Sequence, residues 1–293
     1  MKNSRRFFSF RFALAAVLIS GWNSCGTLSA LEFPDPEWKT LFPGIEHAVI
    51  QVEEPLLKVN VLRIQTETPG LSFYSTGRIS DYQADKAETD RRTVPDFLEE
   101  NELAAAVNAN FYTPFNAKTR KSRGPSDAKG LAVSDGVLVS PANGYVSFIV
   151  RKDGRCEVKV TQNDEPIDVV SQAVSGRPML LENGQIPELT EPARHPRTLA
   201  AVSADGKTVW FVTIDGRQPG FSVGATFAEC GEILKKLGAD DGVNLDGGGS
   251  TTMAVRGEDG KPKVLNRPVG LGQPNSLRHN GNAIGVRVWD LEK

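Results

Sequence analysis

Histidine, cysteine and methionine are scarce in this chain, with three of each among 293 residues. The histidines, His47, His195 and His279, form no His-Glu-x-x-His pattern and keep no metal-ligand spacing with the cysteines, so a zinc site of the usual kind is unsupported. No Gly-Lys-Ser/Thr closes the glycine run at 247–249, which excludes a P-loop there. Gly248-Gly249-Ser250-Thr251-Thr252 lacks the final glycine of a nucleophile elbow. Long apolar runs are also missing: the stretch from Phe12 to Trp22 is 11 residues, and a membrane span needs about 20. A basic excess is absent, since the formal charge is −2, and that argues against a broad nucleic-acid surface. Low-complexity linkers and repeats are absent too.

What remains is ordinary globular composition, 39% hydrophobic and 24% charged. It excludes a disordered chain, a collagen-like chain and a disulfide-dense mini-protein. The first 30 residues hold Lys2, Arg5, Arg6 and Arg11 and no acid; removing those four leaves 30 basic against 36 acidic side chains. The order basic, apolar, small is that of a signal peptide. Residues 1–30 are therefore expected to be an export signal cleaved after Ala30, with Gly26 as a second option. Ser4-Arg5-Arg6-Phe7-Phe8 resembles the start of a twin-arginine signal, whereas Trp22-Asn23-Ser24 before Cys25 is a poor lipobox. The expected location is periplasmic or extracellular, with no membrane span after signal cleavage. Residues 31–293 read as a single domain, with 31–90 as a candidate β-rich subregion. Cys156 and Cys230 would remain in the mature chain, either as a disulfide or as two buried thiols.

Turn signals are dense. Asp-Gly occurs seven times and Asn-Gly three times, and such pairs favour tight hairpins. Short apolar or β-branched runs flank many of them: Gly130–Val133 with Val137–Ser140, Tyr145–Val150 with Cys156–Val160, and Leu199–Ser203 with Val209–Ile214. Glu46–Gln65 alternates like a strand pair or the edge of a subdomain. Two helices are expected: Val94–Glu100, capped by Thr93 with Pro95 in its first turn, and Ala225–Leu237, stopped by Gly238. Phe227, Cys230, Ile233, Leu234 and Leu237 make the buried stripe of the second. The expected class is α+β: a mostly antiparallel, mixed sheet core, rich in hairpins, with a few helices packed on it.

Three features point to chemistry. Asn244-Leu245-Asp246-Gly247-Gly248-Gly249-Ser250-Thr251-Thr252 sets a carboxylate at a strand end before three glycines. Consecutive glycines suit backbone that approaches a ligand or forms an anion-binding nest; a plain hairpin turn is the alternative. Arg177, Arg197, Arg217 and Arg278 all sit at turn–strand junctions, where guanidinium groups can grip phosphate or carboxylate, or simply face water. Asn108-Ala109-Asn110-Phe111-Tyr112 offers amides for sugar hydroxyls and an aromatic wall, or an asparagine-stabilised turn.

Taken in order, these segments resemble the phosphodiester glycosidase family. The block Asn244 to Met253 is the most specific match. Asn108–Tyr112, Ser175-Gly176-Arg177-Pro178, Arg197-Thr198, Asp215-Gly216-Arg217, the helix with Glu229, Asn266-Arg267-Pro268, Arg278 and Asn282-Ala283 follow the family's order, over about residues 45–290. Gly272-Gln273-Pro274-Asn275-Ser276, leading to Arg278, departs from the family's pattern. The resemblance implies an exported hydrolase that cleaves a sugar-1-phosphodiester at the anomeric carbon, on a carbohydrate phosphodiester or a cell-envelope glycan such as an exopolysaccharide. It implies Asp246 as the catalytic carboxylate, with Asp215 and Glu229 competing as its partner. Asn108, Asn110, Arg177, Arg197, Thr198, Arg217, Gly247, Gly248, Gly249, Ser250, Thr251 and Arg278 are the expected substrate and phosphate contacts. No cofactor is required; calcium or magnesium near Asp246 and Asp215 is conceivable, since oxygen ligands suit both. The alternatives are a non-catalytic polysaccharide-binding protein and a glycosidase for non-phosphorylated acidic glycans.

Overall fold

Several of the Asp-Gly and Asn-Gly pairs act as hairpin corners, whereas Asp241-Gly242 lies within a strand. Asp135 (φ 48°) with Gly136 (φ 76°), and Asn183 (φ 49°) with Gly184 (φ 70°), are both left-handed at two successive residues. That backbone matches the twist of the strands it joins. A computed structural model of the chain describes residues 32–289. The expected export signal, with Cys25 and the cleavage site, lies outside those residues.

The described residues form three main sheets and a small three-stranded one. The largest has seven strands, in the order Lys39–Phe42, Ile45–Val52, Leu57–Gln65, Thr208–Ile214, Arg197–Val202, Asp241–Asn244 and Met179–Leu181. A five-stranded sheet contains Ala132–Ser134, Val137–Ser140, Val146–Arg151, Cys156–Val160 and Val170–Gly176. The other five-stranded sheet contains Leu71–Ser75, Ala105–Asn108, Met253–Arg256, Pro262–Val264 and Ala283–Val288. All the ladders between these strands are antiparallel. Only two α-helices occur among the described residues, Val94–Glu100 and Phe227–Lys236. The mostly antiparallel sheet core with a few helices packed on it is thus as expected, but the sheets dominate so far that the fold is mainly β. The reason is local: hairpin signals recur too often for longer helices or parallel crossovers.

Glu46–Gln65 is a strand pair, and it belongs to the main sheet. Leu57–Gln65 pairs with Thr208–Ile214 from Val59↔Ile214 to Gln65↔Thr208. The candidate β-rich subregion 31–90 therefore contributes strands to a sheet shared with residues 179–244.

The three large sheets bury a common core. Leu62, Phe211 and Val243 meet Phe148 and Val174 from the second sheet and Val107 and Ile284 from the third. Phe73, Phe148 and Phe211 pack edge to face at 5.6–6.2 Å between ring centres, a favourable geometry for aromatic rings. The other face of the seven-stranded sheet is covered by the second helix through Cys230, Ile233 and Leu234. Thr226 caps that helix and Glu229 closes the capping box. Gly238 (φ 88°) follows its end, as expected. Gly231 lies so close to the Leu180 carbonyl that a Cβ would stand 2.7 Å from it. The first helix has the expected Thr93 cap and is likewise boxed, by Asp96. Cys156 and Cys230 are free buried thiols in different core clusters, and burial pushes the Cys230 thiol up to about 12. Among the described residues no helix is long and apolar enough to cross a membrane.

Candidate active site

Strand register brings the site together. Arg197 pairs with Ile214, Leu199 with Asn244 and Met179 with Val243. The start of Arg197–Val202, the ends of Thr208–Ile214 and Asp241–Asn244, and the start of Met179–Leu181 therefore share one end of the sheet. Arg177, Arg197, Arg217 and Asp246 leave from these strand ends. They line a cavity of about 930 Å³, together with Arg278 and Gly247–Gly249. Phe111, Tyr112 and Phe115 supply aromatic wall, and Glu188 to Glu191 supply part of another wall. All four arginines singled out in the sequence thus converge, and Arg120 joins them.

The glycine turn is the floor. The Asp246 amide donates to the Ala109 carbonyl at 2.8 Å, and the Asn108 side-chain amide donates to the Asp246 carbonyl. The Gly248 amide is taken by the Pro196 carbonyl at 2.7 Å. Here the glycines serve close packing more than an anion nest. A Cβ at Gly248 (φ 61°) would stand 3.2 Å from the Arg217 guanidinium, and one at Gly249 would collide with that of Arg278. Two guanidinium groups can lie on successive residues only because neither carries a side chain.

Burial pushes the Asp246 carboxyl up to about 6, against the lowering effects of the Ser250 hydroxyl, Arg278 and the Gly247 amide. Such a group changes charge near neutral pH, where a general base works best. Arg278 is buried; it donates to the Gly270 carbonyl and the Ser250 hydroxyl and stacks 4.8 Å from the Phe115 ring. Arg197 is also buried, with two donors on the Ala225 and Ala193 carbonyls and its face on Phe227 at 3.9 Å. Arg177 and Arg217 are exposed, Arg177 beside the Tyr145 ring at 5.2 Å. The Tyr112 hydroxyl donates to the His279 carbonyl, and burial holds that phenol well above its ordinary range.

Several expected contacts face elsewhere. Asn108 and Asn110 are buried and spent on the scaffold. Asn108 accepts from Thr198 and from the Thr252 amide, while Asn110 accepts from the Ser175 amide and donates to the Lys129 carbonyl. They hold the turn and its neighbours instead of sugar hydroxyls. Thr198, Ser250 and Thr251 are buried behind the floor. Glu229 is occupied by the helix cap and by an ion pair with Arg194, so the catalytic-partner role is withdrawn. Asp215 does not line the cavity either. One of its oxygens accepts from Asn266 and the Arg267 amide, and the other is buried without a partner. Burial pushes Asp215 up to about 6.

Other residues were not singled out from the sequence. His195 lines the cavity and meets Arg217 at 3.2 Å; its place beside Pro196-Arg197 was the only available signal. Arg120 had none, since it lies on the short 3₁₀ turn Thr119–Lys121, far from any recognised motif. Gly220-Phe221-Ser222-Val223-Gly224 has nucleophile-elbow spacing, but Ser222 is fully buried and its hydroxyl is held by the Asp215 carbonyl and the Lys58 amide. Among the described residues, Asp85, Glu88 and Asp127 are the acids close enough to share a metal ion. None of them lines the cavity, and Lys129 and backbone amides already occupy Asp127 and Glu88.

Comparison with known proteins agrees with this architecture. A phosphodiester glycosidase family profile matches residues 101–287. The mouse N-acetylglucosamine-1-phosphodiester alpha-N-acetylglucosaminidase is 28% identical over 194 residues, covering 58% of this chain and 35% of that protein. The chain thus spans about a third of the length of this curated relative. The catalytic domain of the zebrafish enzyme of the same name, auto-inhibited by its pro-peptide, superposes with a TM-score of 0.63 at 18% identity, covering 89% of each chain. A Burkholderia pseudomallei protein named as a candidate exported protein gives 0.61 at 18% identity, covering 79% of this chain and 74% of its own. At these identities the two structures speak for the fold.

Proposed function

Because this chain belongs to the phosphodiester glycosidase family, we propose that it hydrolyses a sugar-1-phosphodiester at the anomeric carbon, releasing a free sugar and a phosphomonoester. The observation that carries the reading is the convergence of Arg120, Arg177, Arg197, Arg217 and Arg278 on one cavity whose floor holds Asp246. Phosphate is a good leaving group, so it needs charge neutralisation more than a strong proton donor. Arginines fixed on a rigid floor supply that as charge grows on the departing oxygen.

Asp246 acts on water as a general base. Burial raises its basicity, which helps it take a proton, whereas a carboxylate nucleophile must later leave and is better as a weak base. The reaction then inverts the anomeric configuration. Phe111, Tyr112 and Phe115 give the sugar a stacking wall. The substrate class is a glycan of the cell envelope or an exopolysaccharide, met after export through the signal expected in residues 1–30. No step is assigned to calcium or magnesium, because arginines provide the positive charge.

The test compares a sugar-1-phosphodiester with an aryl glycoside of the same sugar, with and without EDTA, while NMR follows the first anomer formed. Selective, EDTA-resistant cleavage of the phosphodiester to the inverted sugar is expected. Equal cleavage of both substrates would favour a plain glycosidase, and cleavage of neither, with glycan binding retained, a binding protein.

A further inference from the structure

Arg217 is an exposed arginine with a left-handed backbone (φ 58°), an uncommon conformation for a residue with a Cβ. Two things hold its side chain. Its guanidinium lies over Gly248, and one of its terminal nitrogens stands 3.2 Å from His195 Nδ1. Guanidinium groups only donate, so Nδ1 must accept, which places the ring proton on Nε2 and leaves the ring neutral. The His195 backbone is fixed: its amide and carbonyl both bond to Ala225, and its Cα packs where a Cβ on Gly224 would have to sit.

We propose that neutral His195 is a positioning residue that aims Arg217 at the phosphate, and that its protonation releases Arg217 and weakens substrate binding. The proposal rests on the phosphodiester reading of the cavity. The charged groups facing His195 are Arg197, Arg217 and Glu191. Burial and the two arginines hold the ring below its usual range while Glu191 opposes them, so the ring is neutral at pH 7 and charges only in acid. A protonated ring would lose its acceptor and set a third cation beside two arginines. This device acts on KM, whereas protonation of Asp246 acts on kcat.

The experiment compares His195→Ala and His195→Gln with wild type, with Arg217→Ala alone and combined with His195→Ala. His195→Ala should raise KM for the phosphodiester about tenfold with kcat nearly unchanged, as for a lost hydrogen bond to a charged group. The double variant should add little to Arg217→Ala. Glutamine offers an acceptor at any pH, so His195→Gln should keep a near wild-type KM and lose the rise in KM that wild type shows as pH falls below the ordinary histidine value of about 6.5. On the substrate-free protein, ¹⁵N NMR should find Nδ1 unprotonated at neutral pH, and calorimetry should find that inorganic phosphate binds more weakly to His195→Ala. A protonated Nδ1, an alanine variant with wild-type KM, or a glutamine variant that behaves like alanine overturns the proposal. A wild type that binds phosphate but cleaves neither substrate ends the catalytic reading alone, and the tautomer and phosphate affinities then decide the role of His195.

Discussion

Asp246 and Asp215 have the same chemistry and nearly the same acidity, for burial pushes both up to about 6. One lines the cavity, under Arg278 and beside the glycine floor. The other is one side chain removed from that floor, joined to it through Asn266, which donates both to Asp215 and to the Thr251 carbonyl. On the proposed function, perturbed acidity therefore does not by itself separate the carboxylate that works from one that only holds structure. Access to the cavity does, together with the partners that surround each oxygen. The same contrast divides the arginines at the cavity from Asn108, Asn110 and Thr198 behind it, which hold the turn in place.

The sharpest way to break the comparison is Asp246→Asn. Turnover should fall at least about a hundredfold, with an unchanged circular dichroism spectrum and a melting temperature at neutral pH that does not fall, since asparagine is spared the cost of ionising a carboxyl that burial moves to about 6. Wild-type kcat should rise as pH rises through about 6, the range to which burial moves this carboxyl. Loss of turnover on the same scale in Asp215→Asn would mean that access is not the distinction.

Asp215→Asn should keep turnover within about threefold, since asparagine can still accept from Asn266 and the Arg267 amide. Its signature is thermodynamic. Folding raises this carboxyl to about 6, so the folded state holds the proton more tightly than the unfolded chain. The stability contributed by that proton is present in acid and lost as pH rises through about 6. The asparagine variant lacks it and should gain on wild type by up to about 3 kcal/mol between about pH 4 and about pH 7.5. Chemical denaturation at several pH values measures this, and a pH-independent difference would contradict it. Glu229→Gln should do least. Glutamine preserves the capping box, and the half-exposed pair with Arg194 contributes about 1 kcal/mol or less. Turnover should not change; a large loss would return Glu229 to the site.

Much of the scaffold was legible because its signals are local. Thr93 caps the first helix, Gly238 ends the second, and Asp135-Gly136 and Asn183-Gly184 turn as such pairs do, although the second helix starts two residues later than expected, behind its Thr226 cap. The balance of helix and sheet was less legible, because helix length depends on what each face packs against. The site was legible where a residue's position along a strand determines its place. Arg177, Arg197, Arg217 and Asp246 share a sheet end because their strands pair in register.

Sequence left Asn108 and Asn110 open between sugar contacts and scaffold, because one segment can present amides to a cavity or to its own backbone, and the choice depends on segments more than 60 positions away. His195 reaches the cavity with no sequence signal beyond its place beside Pro196-Arg197, and Arg120 with none in its adjacent residues. The chain's own order of residues determined the turns, the caps, the glycine floor and the arginines poised at strand ends, since each is fixed by backbone preference within a few positions. The fold alone decided which carboxylate opens to the cavity and which amides are consumed inside, because burial and hydrogen-bond partners are set only when distant strands come together.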